Sequence, residues 1–182
     1  MLEGILILVA AAVLFLIFLY NRFIKLKNMA DEAWSGIDVQ LKRRYDLIPN
    51  LAACVEGYAT HEKETLAKVV ELRNTAMKAS SVSEKSKADN ALSESLKSVF
   101  ALSEAYPDLK ANQNFLDLQK QLGDIEDTLQ NARRYYNATV RDYNIAADSF
   151  PSCLIAKQFG FEKKDFFEAA ENEKEAVKVS FK

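Results

Sequence analysis

One histidine, His61, and two cysteines, Cys54 and Cys153, set the first limits on chemistry in this chain of 182 residues. A carboxylate-bridged di-iron bundle draws Glu-x-x-His from each of two helices, and a single imidazole cannot supply that. His61-Glu62 does not open a zinc-protease helix either, because the second His of that motif is replaced by Thr65. Nothing in the spacing of Glu126 and Asp127 favours a carboxylate-only metal site. Phosphate cradles need clustered glycines or a basic loop, and Gly4, Gly36, Gly57, Gly123 and Gly160 lie far apart. Cys54 and His61 are seven residues apart, about 10 Å along a helix, too far for a thiolate–imidazole pair unless the helix breaks between them. Both cysteines read as small packing residues. No catalytic, metal-binding or cofactor-binding residue is therefore expected, and the chain does not read as an enzyme.

A polar pattern is more informative. Asn112, Gln119, Glu126 and Arg133 recur every seven residues, and Gln130, Asn137 and Asn144 repeat on a neighbouring line. Arg43, Arg44, Asp46 and Asn50 crowd around Pro49, and Arg73 follows further on. The planar guanidinium holds a carboxylate in two places, which suits partly buried pairs. The candidate network is Arg44, Asp46, Asn50, Arg73, Glu126, Arg133, Asn137 and Asn144. It either fixes the register between helices or lines a polar ligand pocket.

Helices must position these groups. Five Gly and three Pro in a chain that is 49% apolar argue for long helices and against sandwiches or barrels. Leu26, Ala30, Ala33, Ile37, Leu41, Tyr45, Ile48, Leu51, Val55 and Tyr58 keep spacings of three or four, one helical stripe. Pro49 within it is expected to kink the helix or start a new one, and Thr60 can cap the next. A second helix spans about His61–Lys78. Ser81 with Glu84 fits a capping box, opening a third helix whose stripe is Ala88, Leu92, Ser95 or Leu96, Val99 and Leu102. Phe115, Leu122, Leu129, Tyr136, Tyr143 and Phe150 then form a heptad seam, which packs inside its own bundle or against a second chain. After Pro151 come a short helix near Ser152–Gln158, a stop at Gly160, and Phe159, Phe161, Phe166 and Phe167, placed to cover an end of the bundle. Val177, Val179 and Phe181 alternate with polar residues, an extended pattern that either frays or docks on a neighbour.

The first residues differ from all of this. Gly4–Tyr20 carries no charge and covers about 26 Å as a helix, near the lower limit for a bilayer span. Glu3 stands where a signal peptide has its cations, and no small-residue cleavage site follows, so the run reads as an uncleaved anchor. Arg22, Lys25 and Lys27 flank it. By the positive-inside rule they place the body in the cytoplasm of a single-pass inner-membrane protein, with the N-terminus outside. The expected division is an anchor over 1–27, a helical bundle over 28–170 and a charged, extended tail over 171–182. Without residues 1–27 the body holds 21 basic and 25 acidic residues, near −4, which excludes a general nucleic-acid binder.

The motifs RRYDLIPNL (Arg43–Leu51), GYATHE (Gly57–Glu62), YPDLKANQNF (Tyr106–Phe115), ARRYYN (Ala132–Asn137), Tyr143-Asn144 and Phe150-Pro151 stand behind one apolar leader, ahead of a V-x-V-x-F tail. In this combination the chain resembles the LemA family of bacterial membrane-anchored proteins. The resemblance implies an all-α fold, an antiparallel four-helix body on an N-terminal membrane helix, and no agreed reaction. Some members of that family are associated with membrane organisation and with the bacterial envelope. The expected function is a self-associating scaffold that recruits membrane or cytoplasmic proteins at the bilayer. The alternative is a sensor that binds a small ligand in the polar layer.

Overall fold

The computed structural model describes residues 1–59 and 61–168. These hold α1 (Leu2–Glu56), α2 (Lys63–Lys78), α3 (Val82–Leu102), α4 (Pro107–Lys110), α5 (Gln113–Asp148) and α6 (Ser152–Phe159). There is no strand among the described residues. The fold is all-α, as the periodicities require. Thr60, Val177, Val179, Phe181 and the rest of the expected tail lie outside the described residues.

α1 neither ends nor restarts at Pro49. A proline inside a helix costs roughly 3 kcal/mol, because it removes a backbone donor and crowds the preceding turn. Around it Ile48, Leu51 and Val55 are fully buried, and each contributes about 1.5–3 kcal/mol. Together these outweigh the proline. The carbonyl that Pro49 leaves without its helical donor is that of Tyr45, four residues earlier. Arg73 Nε on α2 donates to it at 3.0 Å.

The chain forms two compact units. One comprises Asp38–Asn131 with Phe167 and Glu168. Here α1 contributes Leu41, Ile48, Leu51 and Val55 to the core, α2 Leu66, Val69 and Ala76, α3 Leu92, Leu96 and Val99, and α5 Phe115, Leu122, Ile125 and Leu129. The pairs Lys85–Asp38 and Arg44–Asp89 set α3 parallel to α1. The pairs Arg44–Glu126 and Tyr58–Asn112 set α5 antiparallel to it. Arg73, near the end of α2, reaches Tyr45, so α2 also runs back along α1. This is the antiparallel four-helix arrangement that the resemblance implies. The capping box is present. Ser81 Oγ accepts from the Glu84 amide at 3.1 Å, and Glu84 Oε2 accepts from the Ser81 amide at 3.2 Å. The backbone amides of Ser80, at 3.1 Å, and of Ser81 hold the Glu84 carboxyl below its ordinary range. The expected α3 stripe is one residue off near its start: Ser86 and Asp89 face inward and Ala88 is only half-buried. Polar partners described below hold those two positions inside.

The other unit comprises Met1–Ile37 and Ala132–Phe166. Leu19, Phe23, Tyr143, Ala146, Ile155 and Ala156 form its core. Ring contacts Phe23–Tyr143 at 6.1 Å and Trp34–Tyr136 at 5.5 Å set α1 and α5 antiparallel here too. Phe161 stacks on Phe23 at 4.8 Å, and Phe159 meets Tyr20 edge-on at 5.0 Å. Two of the four expected aromatics therefore cover this end, while Phe167 is buried in the first unit and Phe166 is exposed. The heptad seam is buried from Phe115 to Tyr143 but does not reach Phe150, which is exposed. α5 stops at Asp148, because a residue before proline is pushed out of helical geometry. Gly160 ends α6 at φ +68°, and the Phe161 amide reaches back to the Ala156 carbonyl at 2.9 Å. A left-handed cap of this kind favours glycine.

Candidate functional site

The polar layer of the four-helix unit centres on Arg44. Its side chain, only 5% exposed, leaves α1 on the core side beside Leu41 and Ile48. Nη1 contacts both carboxylate oxygens of Asp89 on α3 at 3.2 and 3.3 Å, and Nη2 donates to Ser93 Oγ at 2.8 Å. Nη1 also forms a 2.9 Å ion pair with Glu126 on α5. One guanidinium thus joins three helices. Asp89 is fully buried, whereas the Glu126 side chain keeps 27% of its surface. Glu126, Arg44, Ser93, Leu96, Phe100, Gln119 and Leu122 are among the residues that line a cleft of about 590 Å³.

The other candidate residues are spread more widely. Arg73 serves the Tyr45 carbonyl and the Asn74 side chain at 3.1 Å. Asp46 and Asn50 point outward, and Asp46 pairs with Lys42 at 2.8 Å on the same exposed face. They do not join Arg44: on a helix, positions two and six residues away fall on other sides. In the second unit Asn144 clamps the chain that follows α6. Its Nδ2 donates to the Lys164 carbonyl at 2.9 Å and its Oδ1 accepts from the Lys164 amide at 3.0 Å. Tyr136 Oη donates to the next carbonyl, that of Asp165, at 2.9 Å. Burial of this phenol, together with the charges of Asp165 and Asp31, pushes its pKa up to about 12. Arg133 is buried and Asn137 half-buried in the same unit. Arg22, Lys25 and Lys27 are exposed.

Asn112 has a structural task. Its Oδ1 accepts from the Phe115 amide at 3.0 Å, which caps the start of α5. The same oxygen receives the Cys54 thiol at 3.6 Å, and Nδ2 donates to Tyr58 Oη at 2.9 Å. Burial pushes the Cys54 thiol up, away from the thiolate form that nucleophilic chemistry needs.

Sequence reasoning missed Asp89, Ser93 and Ser86. Ser86 Oγ donates to the Glu168 carbonyl at 2.7 Å. A signal was present: Asp89, Leu92, Leu96 and Val99 keep spacings of three and four, so an acid occupies a core position of a helical stripe. Such a residue demands a buried cation.

Before α1 reaches its first packed residue, Leu19, almost every side chain is exposed. This stretch is long and apolar enough to cross a membrane, with a mean hydropathy of 2.9 over its best window. It fits a membrane anchor.

A family model described as the LemA family matches residues 33–181. Protein LemA of Metamycoplasma hominis is 29% identical over 172 residues, covering 88% of this chain and 74% of that protein. Magnetosome protein MamQ of Magnetospirillum gryphiswaldense is 22% identical over 174 residues, which is 81% of this chain. The chain spans 64% of that relative's length. Magnetosome protein MamQ 2 of Paramagnetospirillum magneticum is 22% identical over 186 residues, with 88% of this chain and 68% of that protein covered. With the matched region taking in all of α2–α6 and the Arg44 layer, the chain belongs to the LemA family.

Proposed function

We propose that this protein is a membrane-anchored helical scaffold without catalytic activity. It self-associates and recruits membrane or cytoplasmic proteins at the bacterial inner membrane. The observation that carries this reading is α1: its exposed apolar leader continues, within the same helix, into residues packed in both units. An apolar surface of that length left in water has no compensation, whereas in a bilayer it is satisfied. The Arg44 layer supports a structural role, because its cation is already engaged by Asp89, Glu126 and Ser93. Under the positive-inside rule Arg22, Lys25 and Lys27 support a body on the cytoplasmic side. In the test, full-length protein stays with membranes through alkaline washing and migrates as one defined oligomer in mild detergent. A monomer across a wide concentration range removes self-association, and release by the wash removes the anchor.

A second reading rests on the cleft beside Glu126. A small polar ligand there makes the protein an envelope sensor. It predicts a saturable thermal shift with an envelope metabolite, lost in Glu126→Gln.

A further inference from the structure

Resting on the anchored reading above, we propose that the turn and short helix after α5, residues Phe150–Phe159, lie in the lipid interface beside the membrane span. α6 has two faces. Ser152, Ile155 and Ala156 pack inward, while Leu154 and Phe159 turn outward with 59% and 57% of their surface exposed. Phe150, just before it, is 81% exposed. Three large apolar side chains uncovered within ten residues mark a surface that meets something other than water.

The occupant follows from the position of this patch. Tyr143 on α5 packs against Phe23, and α5 runs antiparallel to α1. The five residues from Tyr143 to the end of α5 at Asp148 advance about 7 Å along the axis, which brings the turn that holds Phe150 toward the last turns of the apolar run on α1. Phe159 touches Tyr20, the final residue of that run, at 5.0 Å. The patch is thus continuous with the surface that the bilayer itself covers. The charges agree. Lys157 is exposed on α6, and Arg22 and Lys25 stand just past the run on α1. Nearby Asp148 is engaged by Lys163 at 2.8 Å. An amphipathic segment with aromatic and aliphatic side chains on one face and a lysine at its margin suits an anionic membrane surface.

The test uses full-length protein in nanodiscs of phosphatidylcholine and phosphatidylglycerol. Trp34, the one native tryptophan, is changed to Phe, and single tryptophans are introduced as Leu154→Trp, Phe150→Trp, Phe15→Trp in the span, and Tyr135→Trp. Tyr135 is exposed on α5, about 20 Å before the end of that helix at Asp148. The expected result is blue-shifted emission and strong quenching by brominated acyl chains at positions 154, 150 and 15, with position 135 unaffected. Quenching at 15 without quenching at 154 and 150 overturns the inference and leaves the anchor standing. No quenching at 15 overturns the anchored reading and the inference with it. Emission at 154 that shifts with protein density in the disc, unquenched by the lipid, assigns the patch to a second copy of the chain and overturns the inference. Wild-type protein provides a second readout: a diazirine-labelled phospholipid in the same discs yields adducts on residues 150–159. Absence of those adducts is equally fatal to it.

Discussion

Arg44 is the side chain on which the polar layer depends. Removing it leaves Asp89 as a buried carboxylate without its cation, and such losses cost about 3–5 kcal/mol. Arg44→Met should therefore unfold at clearly lower denaturant, while Arg44→Met/Asp89→Leu should recover most of the loss, because neither charge is then stranded. Equilibrium urea unfolding of both variants checks this. Glu126 is partly solvated, so Glu126→Gln should cost no more than about 1 kcal/mol. Tyr136 carries a pH signature. In the unfolded chain a tyrosine ionises near pH 10, but the folded protein retains the proton up to about pH 12. Above pH 10 the unfolded state binds fewer protons than the native one, so stability falls as pH rises through that window. The stabilisation is fully present below pH 10. Tyr143, whose phenol burial also raises, acts in the same direction. Tyr136→Phe should flatten the alkaline limb of a pH–melting profile while losing about 0.5–1.5 kcal/mol at neutral pH with the bond to Asp165.

Among the elements, the join between α1 and α2 is the most specific. Arg73 serves a carbonyl that exists without a helical donor only because residue 49 is proline. Arg73→Met should cost about 1–3 kcal/mol by orphaning that carbonyl. In a Pro49→Ala background the backbone amide restored at position 49 takes its place, and the cost of Arg73→Met should shrink. A double-mutant cycle reads the coupling directly. Gly160 ends α6 in a left-handed conformation with open space where a side chain would sit. Gly160→Ala should therefore lose only the backbone term, roughly 1–2 kcal/mol, seen as a small drop in melting temperature. Helices were legible wherever a stripe of spacing three or four ran unbroken, as in α1 and α5. Continuation through Pro49 was not, because the compensating donor lies on another helix 24 residues away. The end of α5 was misplaced because the heptad pattern runs on to Phe150 while Pro151 forbids helical geometry just before it.

For the whole chain, composition and periodicity were enough for an all-α fold behind one apolar leader. They were not enough for the site. Arg44 and Glu126 were visible as candidates, but Asp89, the second carboxylate on Arg44, was not among them. Asp46 and Asn50 were drawn in by closeness along the chain, which on a helix does not mean a common face. Asn144 was visible as a repeat. Its task of clamping Lys164 was not, since that contact joins a helix to an irregular segment with no pattern of its own. The three-helix junction also bears on how the protein is made. Arg44 leaves the ribosome 82 residues ahead of Glu126, a delay of roughly 4–16 s at bacterial-scale synthesis rates of about 5–20 residues per second. Throughout that interval the cation must stay hydrated, so the greasy leader is available for insertion well before the interior around Arg44 can shut.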